Sequence, residues 1–204
     1  LDLLEHARAM GTAAEALAMT ATGRSQAVAG VVSISATDVL ATHLLPPLVR
    51  RLRDQEPGIA IAVIAADAIS DLLRREADIA IRHVKPEQPE LIARLVREAE
   101  ANFNASEDWV QVHGHPRRAE DAAHLPFVGS DRSGQYLSYL RQHGLPVEEA
   151  NFSCYADQSK AHWALVRHGL GIGAMIDEIA RDTPGIVRVL DDVPPVRFPI
   201  WLVT

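Results

Sequence analysis

Residues Gly30 to Arg82 hold three short β-branched runs separated by two amphipathic stretches, and this alternation narrows the possible folds more than any other feature of the chain. Val31-Val32-Ser33-Ile34-Ser35 reads as a strand, as do Ile59 to Ile64 and Ile79-Ala80-Ile81. Between the first two, Leu44, Leu45, Leu48, Val49 and Leu52 recur at helical spacing, with Arg50, Arg51 and Arg53 on the opposite face. Between the last two, Leu72 and Leu73 sit in a short helix opening at Ser70-Asp71. Strand, helix, strand, helix, strand predicts an open, mainly parallel sheet covered by helices. Such sheets bind small ligands at the carboxyl ends of their strands, where helix amino termini converge.

A chain of 204 residues suits one large domain or two small ones. No apolar run reaches the roughly 18–20 residues a membrane span needs, and Leu1 to His6 lack the basic-then-apolar layout of a secretory signal. Without an initiator methionine, the sequence reads as part of a longer chain. Cys154 is the single cysteine, so no internal disulfide forms, which fits a reducing cytoplasm. Asp and Glu outnumber Lys and Arg by 27 to 20, for a formal net charge of −7. Nucleic-acid surfaces need clustered positive charge. The densest basic clusters, Arg50-Arg51-Leu52-Arg53, Arg74-Arg75 and Arg117-Arg118, are flanked by acidic residues and read as solvated faces. These residues alone make a poor DNA-binding surface.

Residues 1–29 stand apart. Leu3, Met10 and Leu17 are spaced by seven, and so are Ala7, Ala14 and Ala21, giving three heptads with a narrow apolar seam. Two readings follow: a linker helix that pairs with a second copy, favoured by the narrow seam, or a helix docked on its own domain. Gly11 weakens the helix by about 1 kcal/mol, and Gly23 offers a C-cap. Further on, Leu91 to Val96 reads as a strand followed by a turn, and Ala101 to Ser106 as a separate strand. A second α/β unit then runs from about residue 105 to 174. The chain crosses out near Asn104 and back near Gly173, so residues 30–104 and 175–204 form one lobe and 105–174 the other. Two lobes joined by two crossing segments make a hinged, ligand-trapping cleft.

The ordered set Leu44-Leu45-Pro46-Pro47, Glu56-Pro57-Gly58, Ala77-Asp78-Ile79-Ala80-Ile81-Arg82, Ala105-Ser106 with Trp109, His124-Leu125-Pro126 and Gly169-Leu170-Gly171-Ile172-Gly173 resembles the effector-binding domain of LysR-type transcriptional regulators. The resemblance covers residues 30–204, and residues 1–29 are similar to the family's linker helix. It rests on the order of the set and not on any single motif. It implies two Rossmann-like lobes of periplasmic-binding-protein type preceded by a linker helix. It also implies a small-molecule effector, a homodimer or homotetramer, no membrane contact, and DNA binding only through an N-terminal winged helix-turn-helix that these residues do not include. Two departures stand out: Ile176 occupies a position that is often proline in the family, and the chain stops at Thr204, where the family usually has another helix.

In that family the effector lies between the lobes, which points to Thr37 and Asp38 just after the first strand, to Asp67 after the second, and to Arg82 and His83 after the third. From the inserted lobe come Ser130, Asp131 and Arg132, then Asp157 and Gln158 at a helix start. Thr37 and Asp38 read equally as N-caps and as ligand contacts, and both roles can hold. Arg82 could fork onto a carboxylate or form a structural pair with Asp67 or Asp78. Three acidic groups in one cleft argue against a simple carboxylate ligand and suit one with hydroxyl, amine or guanidine donors, unless they point away.

No metal, cofactor or catalytic site emerges. The nine histidines form no HExxH, there is no cysteine pair, and His113 and His115 read as surface loop residues. No G-x-S-x-G elbow is present. Gly169-x-Gly171-x-Gly173 follows a helix and leads into a strand, the reverse of the order that cradles a dinucleotide. The sequence therefore predicts a cytoplasmic sensor without catalysis. A solute-binding protein of a transport system is the alternative, and an enzyme using the same cleft lacks any acid/base or nucleophile constellation.

Overall fold

The computed structural model describes Met10 and residues 29–66 and 77–204. The predicted linker helix at 1–29, the short helix at Ser70–Leu73 and Asp67 lie outside the described residues, apart from Met10 and residue 29.

The chain opens with β1 (Gly30–Ala36), α1 (Asp38–His43), α2 (Leu45–Gln55) and β2 (Ile59–Ala65). Pro46 and Pro47 sit in the first turn of α2, where their missing N–H groups cost no helical bond. The helix stops before Pro57-Gly58, and Arg53 reaches back to donate to Pro57 O at 2.7 Å. Leu45 is buried, while Leu48 on the predicted apolar face remains half exposed. β1 pairs in parallel with β2 on one side and with β3 (Ile79–Arg82) on the other, as the alternation predicts.

Beyond β3 the sheet changes direction. β9 (Val196–Val203) pairs antiparallel with β3 and with β4 (Ala93–Ser106), so the sheet is mixed, in the order β2-β1-β3-β9-β4 and then the strand Gly173–Ile176. The sequence predicts two strands and a turn where β4 runs unbroken for 14 residues. The misleading segment is Arg97-Glu98-Ala99-Glu100. Glu98 and Glu100 are exposed while Ala99 and Ala101 are buried, which is strand alternation after a register shift between Leu95 and Arg97. Arg97 pairs with Glu178 and Glu100 with Arg197 on the exposed side.

The far half of β4 belongs to a second set of elements. These include α3 (Glu107–His113), a 3-10 turn (Ala119–His124), β5 (Phe127–Gly129), α4 (Gln135–Gln142) and β6 (Phe152–Tyr155). After α5 (Ser159–Arg167) the chain returns through β7 (Gly173–Ile176), α6 (Asp177–Arg181) and β8 (Ile186–Arg188). Ser106 caps α3 by accepting from Trp109 N at 3.2 Å. β7 pairs antiparallel with β4, with Asn104 opposite Gly173 where the two crossing strands meet. β8 pairs with the last three residues of β4. β5 and β6 pair in parallel, and Ile172 bridges to Phe127 to bring them beside β7.

Two large apolar clusters result. One gathers Phe103, Trp109, Phe127, Leu140, Ile172 and Leu190 around the second set of elements. The other joins α1 residues Val39 and Leu40 to Trp163 and Val166 of α5 and to Met175 and Ile179. This second cluster is the seam along which the two lobes touch.

Gly171 shows why the glycine series is needed. A Cβ there would lie 2.8 Å from Pro126 O and 2.9 Å from Phe127 C, both backbone atoms that cannot step aside. The positive φ of +156° adds to the strain. Gly171→Ala is expected to lower the unfolding free energy by about 1–3 kcal/mol, the usual range for overpacking. Urea denaturation of the two proteins measures it, and an unchanged midpoint would contradict the close approach.

Candidate functional site

β1 ends at Ala36 and α1 begins at Asp38, so the amino terminus of α1 opens towards the seam. Across from it, the amino terminus of α5 begins at Ser159. Between them, floored by β4 and β7, lies a cavity of about 350 Å³. That is the low end of the range for small-molecule pockets, about 300–1,000 Å³. Val39, Ala101, Met175, Ile176, Val196 and Phe198 supply apolar wall. His83, Ser130, Asp157, Ser159 and His162 supply polar groups, and Tyr136 and Tyr139 supply both.

Each polar group is held differently. His83 sits edge-on to Phe198 at 4.9 Å between ring centroids, with its Nε2 3.5 Å from Thr37 Oγ1. His162 is buried and its Nε2 donates to Val128 O at 3.1 Å, which leaves Nδ1 as the acceptor nitrogen of a neutral ring. Burial holds this imidazole below its ordinary value of 6.5, the bond to Val128 opposing the shift. A Cβ at Gly173 would strike Val166 Cγ2 at 2.5 Å and His162 Cε1 at 2.6 Å, so the glycine lets α5 press this ring against β7. Burial pushes the Tyr136 phenol up, as it does Tyr139. The Tyr136 hydroxyl lies beside the Ala174 backbone without a well-formed hydrogen bond.

Asp38 makes a polar tie across the seam. Its Oδ1 accepts from Val39 N at 2.6 Å and its Oδ2 from Lys160 N at 2.8 Å. A single carboxylate thus engages the first turns of both α1 and α5, where free N–H groups and the helix dipoles favour negative charge. The sequence predicts that Asp157-Gln158-Ser159 caps α5 locally. Instead Gln158 occupies the N-cap position without a side-chain bond, and Asp38, 122 residues away, receives Lys160 N.

The remaining predicted residues are dispersed. Thr37 takes the N-cap position of α1 but makes no side-chain cap bond. Its hydroxyl faces His83. Arg82 is buried, donating to Ser35 Oγ at 2.7 Å and Ile81 O at 3.0 Å. Asp78, its possible partner, accepts from both the amide and the hydroxyl of Ser33, which hold its carboxyl below the usual range. Asp131 accepts from Ser133 N, Ser133 Oγ and Tyr136 N, closing the turn before α4. With Arg132 it lines a smaller recess of about 150 Å³ that shares Tyr136 with the main cavity. His83, Ser130 and Asp157 are therefore the predicted residues that the structure brings to the main cavity.

Sequence reading missed Tyr136, Tyr139, His162 and Ser159, which lie on helices and read as core or cap. The available signal was the glycine series, since closely spaced glycines after a helix demand a tight approach and His162 is what approaches. His113 and His115 are apart in their bonding: His113 stacks on Trp109 and His115 pairs with Asp191. Among the described residues no three His, Cys, Asp or Glu side chains gather as a metal would require, and no helix is long and apolar enough to cross a membrane.

Known proteins share this fold. The sequence matches the LysR substrate binding domain over residues 25–204, and the chain belongs to that family. LysR-type proteins are transcriptional regulators, which is not an enzyme class. The HTH-type transcriptional regulator CrgA of Neisseria meningitidis serogroup C (strain 8013) is 27% identical over 151 residues, covering 72% of this chain and 50% of CrgA. The chain thus spans about half the length of this curated relative. The CrgA regulatory domain from Neisseria meningitidis superposes with a TM-score of 0.70 at 20% identity, over 86% of this chain and 88% of that one. The Synechocystis PCC6803 CcmR regulatory domain in complex with 2-PG gives 0.68 at 14% identity, over 86% and 87%. The shared fold is the two-lobed, periplasmic-binding-protein-like α/β fold.

Two outcomes follow from this geometry. Asp38→Ala removes a cap from α5 and is expected to destabilise the protein by about 1 kcal/mol, with Asp38→Asn milder. Chemical denaturation checks both. The second concerns pH. His162 and His43 are both held below 6.5, His43 by burial and then by Arg167 and Lys160. The unfolded chain then takes up protons that the folded chain refuses, so stability is full above about pH 6.5 and falls as the pH drops towards the folded-state values. Unfolding free energies between pH 7.5 and 5.5 should show this decline, and His162→Gln should flatten part of the slope.

Proposed function

We propose that this chain is the effector-sensing part of a longer DNA-binding regulator, in which a small molecule held between the lobes biases their closure and thereby transcription. The observation that carries this reading is the cavity at the seam, walled by both lobes and bordered by the amino termini of α1 and α5. The family match and the HTH-type name of the relative support the regulatory half of the reading. The net charge of −7 supports placing DNA contact in a winged helix-turn-helix outside these residues. We assign no chemistry to the cleft, in keeping with a family of regulators. The protein works in the cytoplasm as a homodimer or homotetramer, with residues 1–29 as the linker helix that pairs copies.

The lobes divide near Asn104 and Gly173, residues 30–104 and 175–204 forming one and 105–174 the other. The paired crossing strands at those two residues support this division. The β8 region leans the other way, because Val189, Leu190 and Val193 pack with Phe103 and Trp109. A solute-binding role is the weaker reading, given a family of regulators.

A thermal-shift screen of small metabolites tests the cleft. Ligands are expected to raise the melting temperature, and Ala174→Trp, which fills the cavity, is expected to abolish the rise. Hits that persist in a folded Ala174→Trp protein would sink the cleft assignment. Native mass spectrometry with and without residues 1–29 tests the linker, and an unchanged oligomer would remove it from the reading.

A further inference from the structure

We propose that the cleft takes an apolar molecule of about single-ring size with a hydrogen-bond-donating or cationic head received at Asp157, and that it discriminates against the matching anion. The proposal rests on the cleft reading above and adds the chemical class of the ligand.

Charge is the first argument. Among the described residues lining the cavity, Asp157 is the one with a fixed charge, and no Lys or Arg is among them. An anion entering there would lose water and find no cationic partner to replace it. The second argument is that the usual substitute for a cation is already partly engaged. Helix amino termini can hold an anion through free N–H groups, but at this seam Val39 N and Lys160 N both donate to Asp38. A ligand carboxylate at those termini would lie against another carboxylate, and like charges at close range disfavour each other.

The hydroxyls around the cavity are not tied to one role. Ser130 and Ser159 line the cavity together with Asp157, and a serine hydroxyl can accept as well as donate. His162 has committed its Nε2–H to Val128 O. The lining is largely apolar and partly aromatic, with Val39, Met175, Ile176 and Val196 beside Phe198, Tyr136 and Tyr139. A ring buried there with an amine or hydroxyl turned towards Asp157 satisfies both halves of the site. The aromatic walls would further favour a cation over an anion.

The test is a matched series on the 204-residue protein: 2-phenylethylamine, 2-phenylethanol and 3-phenylpropionate. Affinities come from calorimetry, and the site is located by the ¹³Cε1–¹H resonances of His83 and His162. The amine and the alcohol are expected to bind and to move both resonances. The carboxylate is expected to bind more weakly by about tenfold, the scale of one partly exposed charge contact. Asp157→Asn should cut the affinity for the amine by a similar factor and leave the alcohol nearly unchanged. Carboxylate binding as tight as the amine, with both histidine resonances moving, would overturn the ligand class while leaving the cleft as the site. An amine preference indifferent to Asp157→Asn would overturn the role of that residue and with it the proposal. If none of the three binds, the proposed class is wrong. If all three bind without moving either resonance, the cleft reading falls as well.

Discussion

The unbroken strand from Ala93 to Ser106 is the constraint on which the rest of the fold depends. Its first half is zipped to β9 and its second half to β7 and β8, so one rigid element runs through both lobes. Two chains of backbone hydrogen bonds fix where the returning strand lies, and Asn104 faces Gly173 at the point of crossing. The cavity floor is then set by register: Ala101, opposite Ile176, leaves space that a larger side chain would fill. Small residues on this strand are therefore what make a cavity possible between two packed lobes.

The seam above that floor is held by two kinds of force. Val39, Leu40, Trp163 and Met175 exclude water, which is strong but non-directional. Asp38 adds direction, since only one spacing of α1 and α5 lets the same carboxylate serve both first turns. The buried Trp163 makes no indole hydrogen bond, so apolar packing accounts for its place. When such a seam separates, the Asp38 bond to Lys160 N is exchanged for bonds to water and apolar area is exposed.

Much of this was legible in the sequence, and the exceptions have physical causes. The β1–β2–β3 alternation was readable because parallel strands buried among helices are β-branched and separated by amphipathic runs. The long β4 was hidden because Arg97-Glu98-Ala99-Glu100 looks like a turn until its exposed face finds Glu178 and Arg197. The antiparallel half of the sheet was hidden because strand direction depends on partners far along the chain. Within the cleft, loop residues His83, Ser130 and Asp157 were found by their position at strand ends. Helical residues such as Tyr136 and His162 were not, since a half-apolar side chain on an amphipathic helix carries the same pattern whether it faces core or cavity. Asp38 was found, but its partner was not: a cap supplied from 122 residues away has no local signature.

These placements decide what a ligand could communicate. A bound molecule changes a conformational equilibrium only through contacts that differ between the two states. Val39 belongs at once to the apolar seam and to the cavity wall, and it follows directly on Asp38. Ser159 lines the cavity one residue before Lys160, whose amide Asp38 holds. A molecule in the cleft thus lies against the residues adjoining both ends of the Asp38 tie across the seam. If the lobes part, the ligand loses one wall, and its binding free energy adds to whatever holds α1 against α5. The coupling needs no long pathway through the protein, since the site and the closing contact share neighbouring residues.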